Sequence, residues 1–125
     1  MIKLTIPGNT PSQKNCKIIS VNRATGRPFL RSAPAVKEWQ GIAIDTLKEQ
    51  FNGLQIVHYP VSCTLIFYFD NKRRHDLDNA AGGVLDALTA AGIIEDDNVN
   101  FLDTITLQYG GLDKTNPRAE IFFDE

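Results

Sequence analysis

The 125-residue chain is 42% apolar and 22% charged, the composition of a soluble globular domain long enough to bury a core without disulfide or metal staples. It contains no run of about 18 apolar residues, which excludes a membrane-spanning helix, and no signal peptide opens it, so a reducing cytoplasm is the expected location. The net charge is −2, yet residues 1–37 carry +7 and the other 88 carry −9. A basic arm beside an acidic centre suits a surface that grips phosphate around a cation, and scattered solvated charge is the competing reading.

Taken in order, residues 3–6 alternate in hydrophobicity and read as a first strand. Pro7-Gly8-Asn9-Thr10-Pro11-Ser12 is turn chemistry, and residues 16–21 are rich in apolar and β-branched types, a second strand. Thr25-Gly26 is the expected hairpin turn, with the return strand opening at Phe29-Leu30. Ser32 is a suitable N-cap for a long helix with Pro34 in its first turn. Val36, Trp39, Ala43, Leu47 and Phe51 recur every three or four residues as one core-facing stripe, and Gly53 is a reasonable stop.

Val61–Phe69 is the clearest strand: Val61, Cys63, Leu65, Phe67 and Phe69 face one way, and Ser62, Thr64, Ile66 and Tyr68 the other. A second helix is expected from about Asn79 to Gly92, with Val84, Leu85 and Leu88 inward. Gly82-Gly83 inside it weakens helix propensity or admits close approach of another backbone, a ligand or a subunit. Residues 101–109 read as a strand, 110–117 as a loop and 119–123 as the closing strand, where Ile121-Phe122-Phe123 suits core or interface packing. The pattern predicts one domain over residues 1–125, α+β, with a mixed, largely antiparallel sheet and two main helices packed on it. Cys16 and Cys63 have no close partner and read as small buried hydrophobes.

Chemistry concentrates in Lys72-Arg73-Arg74-His75-Asp76-Leu77-Asp78-Asn79 and in Asp96-Asp97. Carboxylates packed this closely repel unless protons or a cation offset them, and a hard divalent ion such as Mg2+ takes oxygen ligands. The basic run in front of Asp76 suits phosphate. Asp78 also fits a helix N-cap, and Asp96-Asp97 fits a solvated turn. A calcium loop of EF-hand type is excluded, because Ala81 and Phe101 stand where its glycine is required. Asp97 can rejoin Asp76 only if the chain doubles back along the second helix; otherwise a symmetry mate would supply the second acidic pair. Asp86 lies inside that helix, His75 borders the acidic stretch, and His58 has no assigned role.

Read as one string, Arg73-Arg74-His75-Asp76-Leu77-Asp78-Asn79, then Leu85-Asp86-Ala87-Leu88, Ala91-Gly92 and Asp96-Asp97-Asn98-Val99 resembles the RusA family of Holliday junction resolvases, of phage or prophage type. Pro7-Gly8 with Pro11 and Lys14 is similar to that family's N-terminal loop. The resemblance implies a RusA-like fold and a homodimeric crossover junction endodeoxyribonuclease. Such an enzyme nicks four-way junction DNA symmetrically with Mg2+, or Mn2+ in its place, in the cytoplasm of bacteria or phage-infected bacteria. It implies Asp76, Asp78 and Asp97 as catalytic metal ligands, with Asp96 as a further candidate. Lys14, Lys17, Arg23, Arg27, Lys72, Arg73 and Arg74 are the expected DNA contacts. One position departs from the pattern: Gly82 stands where the family usually places a catalytic lysine. That departure motivates an alternative, a non-catalytic junction-binding protein of the same fold. A third reading is a structural divalent site with no DNA partner.

Overall fold

The structure, a computed structural model, describes residues 1–12, 17–52 and 55–124; the side chains at 17, 18, 31 and 32 also lie outside the description. Among the described residues, the elements follow in the order β1 (Ile2–Pro7), β2 (Lys17–Val21), β3 (Pro28–Ser32), α1 (Pro34–Phe51), β4 (Val61–Phe69), α2 (Leu77–Ala90), β5 (Leu102–Leu112) and β6 (Arg118–Asp124). The main sheet has the order β1-β6-β4-β5, and β2 and β3 form a separate antiparallel pair. β4 pairs antiparallel with β6 and parallel with β5, so the sheet is mixed and the expected α+β architecture is the observed one.

β4 organises this sheet. Its residues alternate buried and half-buried along all nine positions, as its period-two pattern predicts. Cys63, Leu65, Phe67 and Phe69 are at most 1% exposed and meet Ile121 and Phe123 of β6 and Leu4 and Ile6 of β1 in one core. The α1 stripe of Val36, Trp39, Ala43, Leu47 and Phe51 is buried as a set, and Ala80, Ala81, Val84, Ala87 and Leu88 of α2 join it. Leu85, expected inward, is only partly buried at the core margin. Burial pushes the Cys63 thiol up to about 12, which suits an inert packing residue. Cys16 lies outside the described residues.

Several boundaries differ from expectation. Ala33, not Ser32, occupies the N-cap of α1 in extended backbone, because a residue before proline is pushed out of the helical region. Asn52, in the left-handed region at φ 49°, ends the helix and donates its N–H to the Lys48 carbonyl; Gly53 lies outside the described residues. α2 starts at Leu77, two residues before the expected Asn79, and ends at Ala90, before the expected Gly92. It runs unbroken through Gly82 and Gly83 because the apolar positions around them pack on the core.

β5 runs three residues past Tyr109 and includes Gly110 and Gly111, which turn propensity assigns to a loop. Pairing with β4 down to Phe69↔Leu112 overrides that propensity. Gly110 has a steric reason as well: a Cβ there would lie 2.5 Å from ring carbons of Tyr68. Arg118 also lies against that ring, its guanidinium carbon 3.9 Å from the ring centre. Arg118 is in turn held by Asp113 at 2.9 Å and Glu120 at 3.2 Å. The ring therefore has little room to retreat. We expect Gly110→Ala to destabilise the fold by about 1–2 kcal/mol, the usual cost of overpacking, read as a melting temperature lowered by several degrees; an unchanged melting temperature would show that Tyr68 moves freely.

Candidate metal and phosphate site

The parallel β4–β5 pair needs a crossover, and α2 supplies it. The chain leaves β4 at Phe69, turns through residues 70–76 and enters α2, so the basic run and the first aspartates stand at the carboxyl end of a central strand. In open mixed sheets such ends favour ligand sites. The chain just after β1, at Gly8 and Asn9, meets the same end. Asp70 donates its backbone N–H to Asn9 Oδ1 at 3.0 Å, and Gly8 donates to the Pro117 carbonyl at 2.9 Å. Hydrogen bonds from Asn9 and Asn71 hold the Asp70 carboxyl below the usual carboxylate range.

An open cleft of about 410 Å³ lies here, lined by Thr10, Ser12, Arg74, Asp76 and Asn79 over the ring walls of Phe69 and His75. Asp76, not Asp78, takes the N-cap position of α2, and its carboxylate makes no capping bond. Instead one oxygen is 3.5 Å from Arg74 Nε, and the other accepts from Asn79 Nδ2 at 3.5 Å. Asp78 falls in the first helical turn, where a negative charge complements the helix dipole. Thr10 is 4% exposed; its Oγ1 and the Asn79 Oδ1 are buried with no hydrogen-bond partner among the described residues. Two orphaned hard oxygens beside a carboxylate mark a polar site that asks for a ligand or water. Asn79 closes the motif string that holds Asp76 and Asp78, whereas Asn9, Thr10 and Ser12 carry no motif signal of their own; only the docking of the first loop on residue 70 reveals them.

The second acidic pair follows α2 in the chain, and Asp97 lies within electrostatic reach of Asp86 in that helix. Asp96 uses its carboxylate to hold the turn, accepting from Asp97 N at 2.8 Å and Asn98 Nδ2 at 3.2 Å. The preceding residue is anchored by the Glu95 N–H donating to Tyr59 Oη at 3.1 Å. The Asp97 carboxyl is raised above the usual range, first by desolvation, then by its bond with Asp96 and that residue's charge, with Asp86 adding repulsion. Asp97 thus feels the middle of α2, and Asp86 lies about 15 Å along the helix from Asp76 at 1.5 Å per residue. Among the described residues, no three His, Cys, Asp or Glu side chains gather where one ion could join them. Asp76 and Asp97 are brought to the same helix but not into one such cluster.

Of the expected DNA contacts, Lys72, Arg73 and Arg74 are exposed on the 70–76 turn, and Arg23 and Arg27 are exposed at the β2–β3 tip. Lys14 and the Lys17 side chain lie outside the described residues. Gly82 is half-buried in α2 and supplies no cation. No described helix is long and apolar enough to cross a membrane.

Because the folded state raises the Asp97 pKa, it binds that proton more tightly than the unfolded chain does. Ionising Asp97 therefore costs stability, and the cost grows as pH rises from the unfolded value through the folded one. Asp97→Asn is expected to melt no lower than the wild type at pH 7, with its relative advantage shrinking at pH 3; thermal melts at both values check this. A variant less stable only at pH 7 would contradict it.

No protein-family model matches the chain. Over 68 residues it is 35% identical to the protein named crossover junction endodeoxyribonuclease RusA from Aquifex aeolicus (strain VF5), a match covering 54% of this chain and 53% of that protein. The chain thus spans about half the length of the curated relative it matches. This similarity agrees with the motif string around Asp76 and Asp97, and on both counts the chain resembles the RusA family.

Proposed function

We propose that the chain is a Mg2+-dependent, structure-selective endodeoxyribonuclease that resolves four-way junctions by paired nicks, working as a homodimer in the cytoplasm of a bacterial or phage-infected cell. The observation that carries this reading is the turn between β4 and α2. It brings Asp76, whose carboxylate makes no capping bond, beside exposed Lys72, Arg73 and Arg74 and to the same cleft as the orphaned oxygens of Thr10 and Asn79. Carboxylate, carboxamide and hydroxyl oxygens are the donors a hard divalent ion takes, with water filling the remaining positions. The donor chemistry fits Mg2+, and Mn2+ in its place.

Asp76 and Asp78 would hold the ion from the start of α2, and Asp97 would complete the set, with Asp96 beside it. Because Asp76 and Asp97 join no cluster of three such side chains among the described residues, an association that brings an acidic turn to a neighbour's Asp76 is part of the proposal. A bound divalent ion lowers the pKa of a ligated water and stabilises charge on the phosphate oxygens. Arg74, 3.5 Å from Asp76, would pair with the scissile phosphate once that carboxylate turns to the cation. Lys72 and Arg73 would neutralise flanking phosphates, and Arg23 and Arg27 extend the footprint, with Lys14 and Lys17 on the same arm of the sequence.

The β2–β3 hairpin supports the homodimer. A two-stranded sheet alone is marginal in water, yet Ile19 is 73% and Leu30 67% exposed, with Val21 and Phe29 exposed beside them. A four-way junction has two-fold symmetry, and a two-fold pair of chains would present two matched cutting centres. Covering these apolar residues with a second copy explains why they are retained on a surface.

The second reading, a non-catalytic junction-binding protein, is favoured by one observation: α2 carries Gly82 where a lysine is expected. The two part in one assay. Asp76→Asn and Asp97→Asn should each abolish Mg2+-dependent nicking of a synthetic four-way junction, by at least 100-fold, while gel retardation of that junction survives. Undiminished cutting by either variant sinks the assignment of these carboxylates, and retardation by the wild type without nicks in Mg2+ or Mn2+ selects the binding protein. Separately, the double variant Ile19→Asp/Leu30→Asp should sediment at half the mass of the wild type. A wild type that is already monomeric would remove the dimer from the proposal.

A further inference from the structure

A second cleft, also of about 410 Å³, shares the Phe69–His75 wall with the acidic cleft and is completed by Tyr109, Leu77, Lys72 and Arg73. Aromatic rings form part of its walls. The His75 imidazole lies flat on Phe69, with centroids 3.7 Å apart and planes within 3°. Its Nε2 is 2.9 Å from Asn71 Oδ1, a carbonyl oxygen that can only accept, so Nε2 donates. Asn71 is itself tied down: Oδ1 also accepts from Arg73 N at 3.0 Å, and Nδ2 donates to Asp70 Oδ1 at 2.8 Å. Tyr109, on β5, lies 6.4 Å from Phe69 with planes 25° apart and is 54% exposed. Phe69 is 1% exposed, so it is the dry floor on which two solvent-facing rings are mounted.

We propose that this cleft takes one unpaired nucleobase, stacked on the rings of His75 and Tyr109, while Lys72 and Arg73 neutralise its phosphates. The inference rests on the junction-DNA reading and deepens it. Each ingredient discriminates. A purely apolar ligand has no use for two cations, and a phosphate alone has no use for exposed rings. Cations beside aromatic faces are how proteins hold single-stranded nucleic acid, because every base has a π-face. A base inside an intact duplex has both faces covered by its neighbours, so only a nucleotide freed at a branch point or bulge can enter. The Asp70–Asn71–His75 bonds set the imidazole plane before any ligand arrives, which lowers the ordering cost of binding. The same turn carries Asp76, so a captured base fixes where the backbone passes the acidic cleft.

The test uses the full chain without divalent metal and two short duplexes, one fully paired and one with a single bulged 2-aminopurine nucleotide. The wild type should bind the bulged duplex about tenfold more tightly, within the range of base–aromatic stacking, and quench the 2-aminopurine fluorescence. Tyr109→Leu should lose the preference and the quenching while binding the paired duplex as before, and His75→Leu should lose the preference and the quenching as well; Tyr109→Phe, which keeps the ring, should retain both. Equal affinity of the wild type for the two duplexes, or full quenching by Tyr109→Leu, overturns the proposal, the first outcome meaning phosphate contact only. Junction nicking in Mg2+ is measured in parallel. Base capture without nicking leaves this cleft standing and removes the nuclease; nicking without base preference does the reverse.

Discussion

The structure depends on β4. It is hydrogen-bonded on both edges, antiparallel to β6 and parallel to β5, and its inward face is almost fully buried. A strand so placed cannot shift by one residue without turning Cys63, Leu65, Phe67 and Phe69 to the outer face. That constraint fixes where Phe69 ends, and Phe69 is both the last core residue of the strand and the floor of the two clefts. The parallel partner β5 then obliges the chain to cross over, and the crossover helix starts at the aspartates. Core packing and site placement are consequences of one register.

Electrostatics divides the acidic residues into two environments. Asp70 has carboxamide donors that favour its charged form, and its depressed pKa contributes stability above the unfolded value that is lost as pH falls through the folded one. Asp97 has the opposite situation, with desolvation and two like charges favouring the proton. A carboxylate under such tension is relieved by protonation or by a cation, whereas a carboxylate already satisfied has less to gain. Asp76 stands 3.5 Å from Arg74 Nε and makes no side-chain capping bond at the N-cap position it holds.

Much of this was legible in the residues. The period-two pattern of 61–69 and the 3.6-residue stripe from Val36 to Phe51 are strong local signals, and both elements were found where they predict. The boundaries that moved did so for reasons outside the local pattern. Ala33 displaced Ser32 because of the following proline, and Gly110-Gly111 entered a strand because β4 pairs with it and Tyr68 covers Gly110. The motif located the Asp76 turn but was silent on Asn9, Thr10 and Tyr109, which reach the site through tertiary contacts 30 or more positions away in sequence. Spacing likewise could not say which part of α2 Asp97 faces, because that depends on how the 93–98 turn is anchored by Tyr59 and Ile56.

The central claim is that the turn after β4 binds a divalent ion and cuts branched DNA. The most direct measurement compares wild-type protein on a synthetic four-way junction and on linear duplex of the same sequence, each with Mg2+ and with chelator. The account predicts paired nicks in the junction with Mg2+, none with chelator and none in the linear duplex. Equal cutting of junction and duplex, or nicking that persists in chelator, would contradict it.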